Sequence, residues 1–206
     1  VAVAGHALKH MLNAAVFVLL PEIKAGLGMS NAQVGAFSTV RFIAGGLANL
    51  PAGYAGDRFS RQRAGILGVA IALAGVFALA LGLAGNFWSA TAAATLMIVA
   101  ITFWHPSAIG ALSREFAQRR GLAIGLHGTG GSVGEAVGPL VVGLLLGFLT
   151  WRAILQGVLL PALLCGGLIW LTLRTVPVRQ EGVSSLGEYV GSMRRLLRNR
   201  RLLLVL

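Results

Sequence analysis

The chain has 206 residues, 56% of them hydrophobic and only 11% charged, with a mean hydropathy of +0.81 and a formal net charge of +11. Soluble domains carry roughly 25% charged residues, so a deficit spread over the whole chain excludes an ordinary globule with a single anchor and points to a polytopic membrane protein. The basicity invites a nucleic-acid reading, which the placement of the charges excludes.

Six apolar segments, at about 3–21, 32–55, 64–85, 88–111, 122–148 and 152–173, are long enough to cross a bilayer, which takes about 20 residues each. The fold class is therefore an all-α polytopic membrane protein, a six-transmembrane-helix bundle over residues 1–173. A polar stretch follows at 174–201, and the residues "LLLVL" at 202–206 begin a seventh apolar segment. The chain starts at Val1 and breaks off inside that segment, so it reads as a piece of a longer protein.

Positive charge falls on alternate connections. Glu22 and Lys24 cancel after the first segment; Asp57, Arg58, Arg61 and Arg63 sum to +2 after the second; no charge follows the third. Arg114, Glu115, Arg119 and Arg120 sum to +2 after the fourth, Arg152 stands alone after the fifth, and seven arginines against two glutamates give +5 across 174–201. This is the positive-inside pattern, with the N-terminus and the 174–201 linker cytoplasmic. The linker also carries Leu186, Tyr189, Met193 and Leu197 at helical spacing, an amphipathic pattern suited to the inner leaflet.

Ionisable groups inside the spans are costly and face a cavity or a partner. The first span holds His6, Lys9, His10 and Asn13, the second Arg41, the fourth His105, the fifth His127 and Glu135. His6, His10 and Asn13 share one helix face, and His10 and Asn13 lie at a depth that suits a water-filled cavity; the competing reading is an inner interface, with Lys9 snorkelling. Arg41 keeps its proton and needs an acceptor. Glu135 sits at a matching depth, so an Arg41–Glu135 pair, responsive or purely structural, is one expectation. His105 precedes Pro106, which interrupts helical hydrogen bonding and kinks a span. Gly68, Gly75 and Gly82 recur every seven residues in the third span and read as a packing face. The stretch "GLHGTGGSVGEAVGPLVVG" holds seven glycines from Gly125 to Gly143; Gly130, Gly134 and Gly138 form a narrow stripe on a helical wheel, with Glu135 turned away from it.

The connection "GYAGDRFSRQR" resembles the signature between the second and third helices of the major facilitator superfamily, G-x-x-x-D-R/K-x-G-R-R/K. Gly53, Asp57, Arg58 and Arg61 match, Ser60 replaces a glycine and Gln62 a base. The resemblance implies that Asp57 with Arg61 forms a conformational switch. Gly125, Gly134, Gly138, Pro139 and Gly143 are similar to the family's antiporter-associated pattern in helix five, with Val142 in place of one glycine, which implies a bendable contact with the second half of the transporter. "TWRAIL" resembles the start of helix six. "GHALKH", "LLPEI" and "FWHPSAIG" resemble the fosmidomycin-resistance branch. By this resemblance the chain is the N-terminal half of a twelve-helix major facilitator fold.

The resemblance implies a secondary transporter moving a small molecule by alternating access, driven by protons as an efflux antiporter, in the bacterial inner membrane. His10, Asn13, Arg41, His105 and Glu135 are the expected cavity residues. Its partners are the small-molecule substrate, protons, the lipid bilayer and the missing C-terminal six-helix half, with no nucleic acid. Alternatives are an uncoupled facilitator or uptake symporter of the same fold, and a non-transporting sensor or assembly component. No catalytic triad, nucleotide loop or metal-ligand spacing stands out, so the expectation is a non-enzyme without cofactor or metal. "HGTGGSVG" lacks the lysine of a phosphate-binding loop.

Overall fold

The computed structural model describes residues 2–176 and 185–199. Among these, all regular structure is helical. In chain order the helices are α1 Ala2–Val18, α2 Leu20–Gly26, α3 Asn31–Arg58, α4 Arg63–Gly82, α5 Phe87–Thr102, α6 Trp104–Glu115, α7 Arg120–Leu146, α8 Trp151–Gly157, α9 Leu159–Leu173 and α10 Leu186–Arg198. The seventh apolar segment expected at 202–206 lies outside the described residues, as do 177–184 of the expected linker.

Three interruptions have one cause. The breaks at Leu19, Phe103 and Val158 stand two or three residues before Pro21, Pro106 and Pro161. Each proline lacks an N–H and crowds the preceding turn, so the helix restarts with proline in its first turn, where the missing donor costs nothing. Four segments, Ser60–Gly82, Phe87–Glu115, Ala117–Leu146 and Trp151–Leu173, are long and apolar enough to cross a bilayer. The pair α1–α2, bent by 47°, makes a fifth when taken as one span. The sequence reading expects six. Helix α3, with 28 residues, is about 42 Å long at 1.5 Å per residue. It carries Arg41, Asn49, Asp57 and Arg58 and falls short in apolarity rather than in length.

Packing follows the small residues. Helix α1 lies on α7, α4 on α8 and α9, and α3 on α5 and α6. Lipid tails are as apolar as leucine, so helices in a membrane associate through close backbone approach rather than hydrophobic burial. On α7, a side chain at Gly134 would strike the Ala7 carbonyl, one at Gly130 would lie 2.5 Å from the Val3 carbonyl oxygen, and one at Gly138 3.1 Å from Met11 Cα. The seven-residue repeat on α4 does the same against the sixth apolar segment. A Cβ at Gly68 would sit 2.7 Å from the Gly166 carbonyl oxygen, at Gly75 2.5 Å from Ala162 Cβ, and at Gly82 2.9 Å from the Arg152 carbonyl oxygen.

Polar contacts finish two ends. Arg152 donates to the Gly82 and Ala84 carbonyls at 3.1 and 2.6 Å, satisfying the orphan acceptors at the end of α4, with its guanidinium 4.2 Å from the Trp151 ring centroid. At the opposite end, Arg63 Nη2 pairs with Glu115 Oε1 at 3.0 Å, tying the start of α4 to the end of α6.

Gly134→Val is expected to lower the stability of the full-length protein by about 1–3 kcal/mol through overpacking, whereas Gly143→Ala, whose Cβ meets nothing within 4 Å, changes it by less than about 0.5 kcal/mol. Thermal unfolding in detergent distinguishes the two, and equal shifts would contradict the packing account. A double-mutant cycle of Arg63→Gln and Glu115→Gln should return a coupling of about 1 kcal/mol, since Glu115 is half exposed and the pair is partly screened; additive effects would show the pair to be idle.

Candidate functional site

The polar groups of α1, α6 and α7 meet at one place. His6 and His10 lie one turn apart on α1 and both point at α7. His6 Nδ1 is 2.7 Å from the His127 carbonyl oxygen. That oxygen only accepts, so His6 Nδ1 carries a proton and donates. His10 Nδ1 lies 2.7 Å from Glu135 Oε1, an ion pair or a charge-assisted hydrogen bond according to the imidazole's charge. The two Nε2 atoms face each other at 3.0 Å. His105, placed in the first turn of α6 by the Pro106 break, brings its own Nε2 to 3.4 Å from His6 Nε2. The His127 ring stacks flat on His6, with centroids 3.9 Å apart.

Gly131 makes room for this cluster. A Cβ there would lie 2.8 Å from His6 Cε1 and 3.1 Å from His10 Cδ2. His6 is buried, His10 has 18% of its side chain exposed and Glu135 has 62%. The site therefore grades from a closed end at His6 to an open end at Glu135. Sequence reasoning singled out His10, His105 and Glu135 for the cavity, but gave His6 and His127 no site role and assigned Gly131 nothing. The i, i+4 spacing of His6 and His10 was the available signal for the first.

Arg41 and Glu135 have different partners. Arg41 is buried, donates from Nη2 to Asn13 Oδ1 at 3.3 Å, and lies 5.2 and 5.6 Å from the ring centroids of Phe17 and Phe37. Glu135 is held by His10. The Arg41–Glu135 pair considered from depth alone is not formed, since each side chain is engaged by a residue of α1 instead, Asn13 for one and His10 for the other. Lys9 is buried beside the cluster. It lines, with Phe42, Gly46, Asn49, Thr102 and His105, a cavity of about 340 Å³ between α1, α3, α5 and α6.

The signature residues gather at the other end of α3. Asp57 is half-buried, and Arg58 and Arg61 are exposed. Among the described residues neither Asp57 nor Arg61 has an ion-pair partner; the ion pair at this end is Arg63–Glu115, two residues the sequence reading counted only as topological charge. Gly53 has a distinct role. A Cβ there would lie 2.6 Å from the Tyr189 hydroxyl, which donates to the Leu50 carbonyl at 3.1 Å, while the Tyr189 ring meets Tyr54 edge-on at 5.5 Å. The amphipathic helix α10 is thereby seated on α3. Burial, and then the nearby Asp57 carboxylate, push the Tyr189 phenol above its ordinary range.

The helix-five glycines divide into two sets. Gly134 and Gly138 press on α1, while a Cβ at Gly125 or Gly143 meets nothing within 4 Å. Pro139 sits inside α7 without breaking it. The glycine-rich stretch from Gly125 to Gly143 lies inside one continuous helix, Arg120–Leu146.

None of the curated proteins compared with the chain matches it. A family model described as Major Facilitator Superfamily matches residues 2–206, nearly the whole sequence. With its all-helical architecture, its apolar spanning helices and its signature connection at Gly53–Arg63, the chain is a multi-pass membrane protein that belongs to the Major Facilitator Superfamily of membrane transporters.

Proposed function

We propose that the chain is the N-terminal six-helix half of a proton-coupled efflux antiporter, with α3 as the sixth span. The observation that carries the coupling reading is the His10–Glu135 contact, a carboxylate and an imidazole 2.7 Å apart within the apolar bundle. Such groups inside a membrane mark ion or substrate pathways. Glu135 is the more exposed member of the pair, and in this reading it meets both solvent protons and substrate. His6 and Lys9 of α1, His105 of α6 and His127 of α7 surround the pair. In this mechanism Glu135 and His10 hold one another while substrate is bound. A proton entering from outside neutralises Glu135, frees His10 from it, and accompanies the return of the transporter to the inward-facing state. Arg41, held by Asn13 of α1, supplies permanent positive charge inside this half of the transporter.

Alternating access in this family rocks two bundles about a midplane site. We place Asp57, Arg58 and Arg61 at the cytoplasmic face, where Asp57 exchanges partners with the second half as the bundles rock. Gly125 and Gly143, open in this half, supply close-approach positions for that second bundle. The cytoplasmic N-terminus and linker follow from the alternation of positive charge, and the bacterial inner membrane and the fosmidomycin-resistance branch from the "GHALKH" and "FWHPSAIG" elements. An uncoupled facilitator of the same fold is the second reading, favoured if the intramembrane acid is dispensable.

Glu135→Gln in the full-length protein, reconstituted in vesicles, should abolish accumulation driven by a pH gradient and leave substrate exchange at zero gradient within a few fold. Unchanged gradient-driven transport would remove Glu135 from coupling and favour the facilitator. Asp57→Asn should slow both modes at least tenfold with thermal stability unaltered, and a normal rate would take the switch role from Asp57.

A further inference from the structure

We infer that His6, His10 and His105 form a binding site for one divalent transition-metal ion of the Zn²⁺ or Co²⁺ class. The inference rests on the ring nitrogens alone and does not depend on how transport is coupled.

The hydrogen-bond partners settle which nitrogens are available. His6 Nδ1 is committed to the His127 carbonyl and His10 Nδ1 to the Glu135 carboxylate, each at 2.7 Å. Both acceptors fix the proton on Nδ1, so in the neutral rings both Nε2 atoms present lone pairs. Those lone pairs face each other at 3.0 Å, and His105 Nε2 stands 3.4 Å from the His6 one. Two lone pairs at that distance repel unless a cation lies between them. A proton satisfies one such pair; a metal ion satisfies three nitrogens together.

The spacing fits. Zn–N bonds of about 2.0–2.1 Å in tetrahedral geometry put ligand nitrogens about 3.3–3.4 Å apart. The two observed separations bracket that edge, and all three ligand atoms lie within 4.8 Å of one another, so closing the triangle takes only side-chain rotation. The outer nitrogens are also engaged as metal-binding histidines engage them, one on a backbone carbonyl and one on a carboxylate. Neutral imidazole suits Zn²⁺, Co²⁺, Ni²⁺ and Cu²⁺ and does not suit Mg²⁺ or Ca²⁺.

Three protein nitrogens leave the fourth tetrahedral position for water or a ligand group, the arrangement of an exchangeable site rather than a closed structural one. Lys9, buried next to His10, opposes a cation there. Glu135 offsets it from the other side through His10. His6 and His10 stand at i, i+4 on α1, but the third ligand, His105, lies on α6, 95 or more positions away in the chain, so the sequence shows only two of the three ligands together.

The test uses the full-length protein purified in detergent with a histidine-free affinity tag. Titration with Co²⁺ should show one ion per chain, with the intense absorption of tetrahedral Co²⁺, displaced by Zn²⁺ and unaffected by Mg²⁺. His10→Gln and His105→Gln should each weaken binding at least tenfold, and Glu135→Gln, which alters only the outer partner, by 10–100-fold. Lys9→Gln should tighten binding several-fold, an effect that a misfolded variant cannot imitate. Absence of saturable one-to-one binding overturns the proposal, as does Co²⁺ affinity that is the same in the native protein, His10→Gln and His105→Gln.

Discussion

The backbone approach of α7 to α1 is the constraint from which the rest of the site follows. Gly130, Gly134 and Gly138 let α7 rest on the carbonyls of Val3 and Ala7 and on the backbone of Met11. That proximity carries the His127 carbonyl to His6 and the Glu135 carboxylate to His10. A helix pair held apart by larger side chains would leave both imidazoles short of their acceptors. In a bilayer the closeness is also the source of the attraction, because van der Waals contact and interhelical hydrogen bonds replace the missing hydrophobic drive. The glycines and the glutamate of one stretch thus perform successive steps of a single construction. Gly131 follows the same logic at smaller scale, since its missing side chain is the volume the two rings occupy.

The proline breaks supply the third member. The break at Phe103, three residues before Pro106, divides the span Phe87–Glu115 into α5 and α6. The restart at Trp104 places His105 in a first turn beside α1, with Trp104 fully buried against Gly5. Secondary transporters often build midplane sites at broken helices, because freed backbone and redirected side chains are tolerated only where protein or a cavity covers them. The 340 Å³ cavity that His105 shares with Lys9 meets that condition.

Much of the fold was legible in the sequence, because the bilayer imposes a length and an apolarity that composition records directly. The apolar segments at 88–111 and 152–173 fall within spanning helical segments, and those at 64–85 and 122–148 overlap theirs except for their last three and two residues. The packing role of Gly68, Gly75 and Gly82 was legible from period alone. Helix α3 was harder, since its polar residues blur the signal. In the site, membership was partly visible and pairing was not. Depth suggested Arg41 with Glu135, yet depth says nothing of azimuth, and the side chains answer to Asn13 and His10 instead. Arg63 read as a topological charge because its partner Glu115 is 52 residues away. Tyr189 on Gly53 was invisible for the same reason: a glycine in a signature can be read as a turn or as room for a neighbour, and only the fold tells which.

The pairing of helices carries one further argument. If the six spans are two inverted repeats of three, the first corresponds to the fourth and the second to the fifth. The contact of α7 on α1 then corresponds to that of α3 on α5 and α6. Both are made by small residues of the second member. A Cβ at Gly56 on α3 would lie 3.3 Å from the Pro106 backbone, and one at Gly45 3.0 Å from Ile98, as the α7 glycines lie on α1. The α1–α7 interface carries His6, His10, His127 and Glu135, whereas the α3 interface with α5 and α6 holds the buried hydroxyls of Thr102 and Ser107. The histidine cluster sits where α1, α6 and α7 come together, with α7 holding the outer nitrogens of His6 and His10 and α6 supplying His105.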